Sequence, residues 1–159
     1  MDKKKLVEAF ILHLENDLLA LKEAARATYE EATHEESKPE NEYDTRGLEA
    51  SYLAGAQAKR AGEIDEVLSL FRTTAWKDFP PGAAISATAL VELQTAGRKH
   101  FVLLMPLGGG VNQSFEGRMV QVITPASALG EALLGLREGD DVDVEIGDRT
   151  VPYEILSVR

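Results

Sequence analysis

Residues 2–33 contain neither Pro nor Gly, and their apolar positions recur at Leu6, Phe10, Leu14, Leu18, Leu21, Ala25 and Thr28/Tyr29. Steps of four and three line one face of an α-helix and do not fit a strand. Ala, Leu, Glu and Lys dominate the stretch, and all are good helix formers. A second helical pattern covers 43–73 through Leu48, Tyr52, Ala56, Lys59, Glu63/Ile64, Val67, Leu68 and Phe71. Gly47, Gly55 and Gly62 weaken it, each by about 1 kcal/mol relative to Ala. Ala54, Gly55, Ala56 and Ala58 are small enough to let a partner helix approach closely. Two long helices joined by a short turn are expected to pack antiparallel as a hairpin.

The pattern changes at "TTAWKDFPPGA", residues 73–83. Pro80 and Pro81 forbid helix continuation and mark a domain boundary. Beyond it, "AAISATALVEL", "KHFVLLMPL" and "GRMVQVIT" read as strands, the first two separated by the turn signal "QTAGR". "PASALGEALLGL" reads as a short helix with Pro125 at its start and Ala128, Leu129, Ala132 and Leu133 as its stripe. "DVDVEIGDRTVPYEILSV" alternates and is split by Gly147-Asp148, a hairpin signature. The expected class is α+β: a helical hairpin over 1–75, then a small sheet domain with one helix over 82–159.

Composition narrows the chemistry. The chain has no cysteine, which removes disulfide frameworks, thiolate zinc sites and cysteine catalysis. Net charge is −10 and no Lys/Arg cluster exists beyond Lys3–Lys5, so direct gripping of duplex DNA is not expected. A basic protein partner or a metal ion fits the charge better. The start reads as no signal peptide and no apolar run approaches the ~20 residues of a membrane span, so the expectation is a cytoplasmic protein without membrane contact.

The acids concentrate between the two helical patterns. "EESKPENEYDT", residues 35–45, sets Glu35, Glu36, Glu40, Glu42 and Asp44 against one base, Lys38. Polar loops between helices are ordinarily just solvated, and a charge run alone is weak evidence of a site. Asp44 is as well suited to capping the second helix as to chemistry.

Two stretches of this chain resemble the bacterial Gre transcript-cleavage factors (GreA/GreB). "PENEYDTRGLEASYLAGAQAKRAGEIDEVLSLF", following a long first helix, is similar to the family's tip and second helix. "ITPASALGEALLGLREGDDVDVEI" is similar to its C-terminal Ser-Pro-x-x-x-Ala-Leu-x-Gly-x-x-x-Gly-Asp-x-Val pattern, the more specific of the two. The resemblance implies an antiparallel coiled coil that enters the secondary channel of bacterial RNA polymerase and an FKBP-like C-terminal domain that docks outside it. It also implies indirect contact with RNA and DNA in the elongation complex. It assigns partner binding to Ser127, Leu129, Gly130, Leu133, Leu134 and Gly135, and tip roles to Ser37, Pro39, Asn41, Glu42, Tyr43 and Asp44.

By the same resemblance the protein is no free-standing enzyme. It binds no cofactor stably, and its tip carboxylates, Glu40 with Glu36, help hold a Mg²⁺ at the polymerase active site. Two-metal phosphodiester cleavage needs hard oxygen ligands delivered to both ions. Glu40-Asn41 matches the family's Glu-Asn, whereas Ser37 stands where the family has its catalytic Asp, and Pro39 replaces a non-proline residue. Two mechanisms stay open: stimulated cleavage of backtracked RNA, or occupation of the channel without cleavage. A protein-binding module of the type that regulates nucleoside diphosphate kinase is the alternative class.

The remaining motifs read blandly. "PLGGGVNQ", 106–113, lacks the Gly-Lys-Ser/Thr ending and following helix of a phosphate cradle, and is expected to be a sheet loop. His13, His34 and His100 show no zinc spacing. Ser114 and Ser127 lack a nucleophile-elbow context. Trp76 and Phe79 are expected to pack between the domains. Three aromatics in 82–159, Phe101, Phe115 and Tyr153, are too few for an isomerase pocket. A monomer is the expected state, although the small-residue face of the second helix also suits self-association.

Overall fold

The computed structural model describes residues 1–33 and 46–159, and the acidic segment 34–45 lies outside them. The element order is α1 (Lys3–Thr33), α2 (Arg46–Thr73), β1 (Leu90–Thr95), β2 (Arg98–Leu104), β3 (Asn112–Phe115), β4 (Arg118–Ile123), α3 (Ala128–Leu133), β5 (Asp141–Ile146) and β6 (Arg149–Val158). The chain clusters into two compact units: Ile11–Arg72, and Met1–Phe10 together with Thr73–Arg159. The class is α+β, a helical hairpin followed by a mixed six-stranded sheet with one helix.

α1 starts where Asp2 caps it, its carboxylate accepting from the backbone N–H groups of Lys4 and Lys5 at 3.0 and 3.2 Å. In the hairpin unit Leu14 and Leu18 are buried, with Leu21, Ala25 and Thr28 half-buried along the same face. On α2 the buried or half-buried positions include Gly47, Ala50, Ala54, Gln57, Ala61, Ile64, Leu68 and Phe71. Their alternating steps of three and four are the heptad repeat of a coiled-coil seam. An ion pair between Arg72 and Glu15 ties the two helices near their base.

This seam corrects the stripe read from the sequence. Leu48 and Tyr52 are 59% and 73% exposed, and Ala56 and Lys59 also face solvent. Of the small residues at 54–58 only Ala54 is buried, and the space beside Gly55 is open. Over 48–59 the large side chains point the sequence reading to the wrong face, because there the α2 side of the seam is built mainly from small residues, whereas from Ile64 to Phe71 the stripe and the seam coincide. It runs from Leu14, Leu18, Leu68 and Phe71 at one end to Ala25, Thr28, Ala50 and Gly47 at the other, so buried apolar volume falls steadily along it.

Gln57 is the polar exception in the seam. Its Oε1 is buried without a hydrogen-bond partner among the described residues. An unsatisfied buried carbonyl costs about 1–3 kcal/mol. Gln57→Leu is therefore expected to raise the urea midpoint, by about 1–2 kcal/mol of stability once apolar burial is added. An unchanged or lowered midpoint would show that the amide carries a satisfied structural role.

The sheet runs β3-β4-β2-β1-β6-β5. All neighbours are antiparallel except β2 and β4, which pair in parallel from Phe101↔Val120 to Leu104↔Ile123. Val91, Leu93, Val102, Leu104, Ile123, Ile155 and Val158 form the core with Ile85, Ala89 and Leu133. Phe79 packs on this core, and the Lys3 ammonium lies 4.7 Å from its ring centroid. That ammonium also donates to the backbone oxygens of Lys77 and Arg159, at 2.6 and 3.1 Å. Burial pulls its pKa down to about 8, with Asp78 acting the other way.

Three local readings change. The stretch 83–89 is irregular and the strand begins at Leu90, because Ile85 N–H is taken by Leu136 O and Thr88 N–H by Leu104 O. Asn112 and Gln113, read as loop, open β3 against Gln121 and Val120. The third helix starts at Ala128, three residues past Pro125, because Ser127 and not Pro125 sets its cap. Gly147-Asp148 does separate the antiparallel pair β5 and β6.

Candidate functional site

The catalytic and metal residues expected at the tip, Glu36 and Glu40, lie outside the described residues, as do Ser37, Pro39, Asn41, Glu42, Tyr43 and Asp44. Among the described residues no group of three or more His, Asp or Glu side chains could hold a metal ion. What can be placed are the two helices that flank the segment, ending at Thr33 and resuming at Arg46. Tyr29, Leu48, Tyr52 and Leu53 are all more than half exposed on those flanking turns. The sequence reading assigned Leu48 and Tyr52 to the packed face instead.

The residues expected to bind a partner fall on and just after α3. The turn that starts this helix is unusually tight. Thr124 O accepts from Ser127 N–H at 2.9 Å and from the Ser127 hydroxyl at 2.8 Å. The same hydroxyl oxygen accepts from Gly130 N–H at 3.1 Å, so one serine closes the turn and caps the helix. Gly130 is buried against this turn, and a Cβ there would stand 2.0 Å from Thr124 O. Leu133 is fully buried in the core, and Leu129 packs half-buried against it.

The last two positions differ in kind. Leu134 is 43% exposed, and Gly135 is exposed with φ +82°, its N–H donating to Ile85 O at 2.9 Å. Ser127, Gly130 and Leu133 therefore shape the helix from inside, and the surface at this end of α3 is offered by Leu134 and Gly135. Arg137 secures the following turn through Gly82 O and through its own N–H to Asp140 Oδ2.

A feature the sequence reading missed lies on the central strand β1. Glu92, its side chain only 12% exposed, accepts from Lys99 Nζ at 2.8 Å, and Arg159 stands 3.9 Å away. The Lys99 hydrogen bond holds its carboxyl below the usual carboxylate range. Partial burial opposes this, and the charges of Lys99, Arg159 and Arg118 reinforce it. A carboxyl depressed on folding stabilises the fold above its unfolded value of about 4.5, and that stability disappears as pH falls through the lower folded value. Urea midpoints measured against pH are expected to fall more steeply below about 4.5 in the native chain than in Glu92→Gln. Parallel acid limbs would remove Glu92 from the account.

Residues 111–159, which span β3 to β6 and α3, match the family model described as "Transcription elongation factor, GreA/GreB, C-term". Over 164 aligned residues the chain is 27% identical to the transcription elongation factor GreA of Methylococcus capsulatus, covering 100% of this chain and 99% of that one. Among solved structures it is similar to GreA factor homolog 1 of Thermus thermophilus, 22% identical over 96% of this chain and 94% of that one, with a TM-score of 0.38. It is also similar to the GreA/GreB elongation factor of Nitrosomonas europaea, 21% identical over 60% of this chain and 78% of that one, with a TM-score of 0.37. The chain is thus similar along its whole length to a GreA elongation factor, and its residues 111–159 match the C-terminal model of the GreA/GreB family.

Proposed function

We propose that this protein binds bacterial RNA polymerase through its sheet domain and modulates elongation by inserting the helical hairpin into the enzyme's secondary channel. The observation that carries the reading is the end-to-end match to an elongation factor GreA, from the first helix to the last strand. Helices of 31 and 28 residues extend about 45 and 40 Å, long enough to deliver a loop to a recessed active site. The same length speaks against the nucleoside diphosphate kinase regulator type, whose hairpin is shorter. Polymerase works in the cytoplasm, and no helix among the described residues is long and apolar enough to cross a membrane.

In this reading the catalysis belongs to the polymerase, and the hairpin contributes carboxylates. Glu40, with Glu36 beside it in sequence, would supply hard oxygen ligands to a Mg²⁺ held jointly with the polymerase, and that ion would activate water or stabilise the leaving oxygen. Ser37 supports a second reading, in which the hairpin fills the channel without chemistry and alters pausing or competitor access. Adding purified protein to backtracked elongation complexes at fixed Mg²⁺, with binding followed in parallel, separates the two. Faster release of short 3′ fragments supports cleavage, binding without release supports occupancy, and absence of binding defeats both.

A further inference from the structure

We propose that the wedge between β2 and β4 is a docking site for an extended acidic peptide segment of a partner protein. The two strands pair only from Phe101 and Val120 onward. Before that point β2 is hydrogen-bonded on its other side to β1, and β4 to β3, so they diverge as a fork. A cavity of about 500 Å³ opens there, a size that holds several peptide side chains.

The walls differ in character. Val102 and Gln121 are register partners, and strand alternation places His100 and Met119 on their face. Leu129 from α3 and Tyr153 from β6 complete that wall, with the His100 and Tyr153 rings edge to face at 6.4 Å. Met119 is 59% exposed, a large flexible apolar group of the kind used where a surface must adapt to a ligand. The fork's basic residues are Lys99, His100 and Arg118, with Arg98 next to them in sequence. Arg98, Lys99 and Arg118 are half of the six Lys and Arg side chains in residues 78–159, and of the eleven acids there only Glu92, against Lys99, and Glu116, beside Gly117, come near the fork.

The charges are not all spoken for. Lys99 is paired with Glu92, whereas Arg118 lies over the Phe101 ring at 5.0 Å, acts on Glu92 only from a distance and makes no direct ion pair among the described residues. Alternation puts Arg118 on the opposite face of the fork from the His100 and Met119 wall, so an extended segment entering it would turn an apolar side chain to that wall and a neighbouring carboxylate to the guanidinium, which Arg can take up with two parallel hydrogen bonds. Backbone groups freed where the strands part add the main-chain contacts that an extended segment needs. The proposal does not depend on which protein carries the segment, so it stands whether or not the polymerase reading holds.

The test uses the full chain and the capped peptide acetyl-Asp-Glu-Leu-Phe-Glu-Asp-amide, followed by NMR at the Met119 methyl, the His100 ring and the amides of 117–121. Saturable, salt-sensitive shifts confined to these groups are expected. Arg118→Ala should weaken binding about ten-fold, the loss of one charge-assisted contact, and Arg149→Ala on the far turn should leave it unchanged. Folding of both variants is checked by their unchanged shifts elsewhere. No saturable shift at Met119, or equal shifts from the peptide with Lys at every acidic position, overturns the proposal. So do the same shifts from inorganic phosphate or from a short oligouridylate, which would make the fork a phosphate or RNA site.

Discussion

Gly130→Ala is expected to lower stability by roughly 3–5 kcal/mol, or to prevent accumulation of folded protein, because the new methyl has nowhere to go. Its Cβ would sit 2.0 Å from Thr124 O, 2.7 Å from Thr124 C and 2.9 Å from Ser127 Oγ. The first two are backbone atoms, so no rotamer change relieves the overlap. Either α3 lifts off the sheet, exposing Leu133, or the Thr124 turn breaks and its carbonyl loses both donors. Gly135→Ala is the control that separates space from conformation. Gly135 has a positive φ and open space around it, so alanine there should cost only about 1–2 kcal/mol. Thermal melts by circular dichroism are expected to place Gly130→Ala about 10 °C or more below the parent and Gly135→Ala only a few degrees below. Equal small shifts would mean that the α3 turn has slack.

At the level of activity, Glu40→Ala is expected to reduce stimulated RNA cleavage at least ten-fold while leaving polymerase affinity unchanged, if the hairpin takes part in the chemistry. Removing one hard ligand from a divalent ion forfeits part of several kcal/mol of transition-state stabilisation, and about 1.4 kcal/mol is already ten-fold. Ser37→Asp is the complementary gain. It places a carboxylate where the resembling family has its catalytic Asp, and cleavage should rise by at least the same factor. Single-turnover cleavage at saturating protein reads both without interference from binding. Undiminished cleavage by Glu40→Ala would remove that residue from the metal. No cleavage from either the parent or Ser37→Asp, with binding intact, would leave channel occupancy as the mechanism.

The hairpin and the C-terminal β-pair were legible in the sequence for simple reasons. A stretch of some thirty residues free of Gly and Pro has few alternatives to a helix, and Gly147-Asp148 between alternating runs has few alternatives to a hairpin. The seam of α2 was legible from Ile64 to Phe71 but not before it, since hydrophobic periodicity weights Leu48 and Tyr52 above Ala50, Ala54 and Ala61, although the alanines face the seam. The strand β3 was hidden because Asn112, Gln113 and Ser114 carry little strand propensity and are held by their register with β4. Thr88 was invisible altogether. It is buried with φ +76°, a conformation costly for a β-branched residue, and its hydroxyl accepts from Lys77 N–H at 3.3 Å. Within the α3 segment, sequence matching could not tell Leu133, which is buried in the core, from Leu134, which is exposed.

The strand that closes the sheet has a bearing on how the protein behaves when concentrated. β5 is an outer strand, and an uncovered row of amide and carbonyl groups invites a second sheet to zip onto it. Asp141, Asp143 and Glu145 alternate along this strand, all exposed, opposite Glu154, Pro152 and Thr150. A second copy approaching antiparallel would bring carboxylates against carboxylates at every other residue. This charged rim works against fibril growth and lateral aggregation of the sheet.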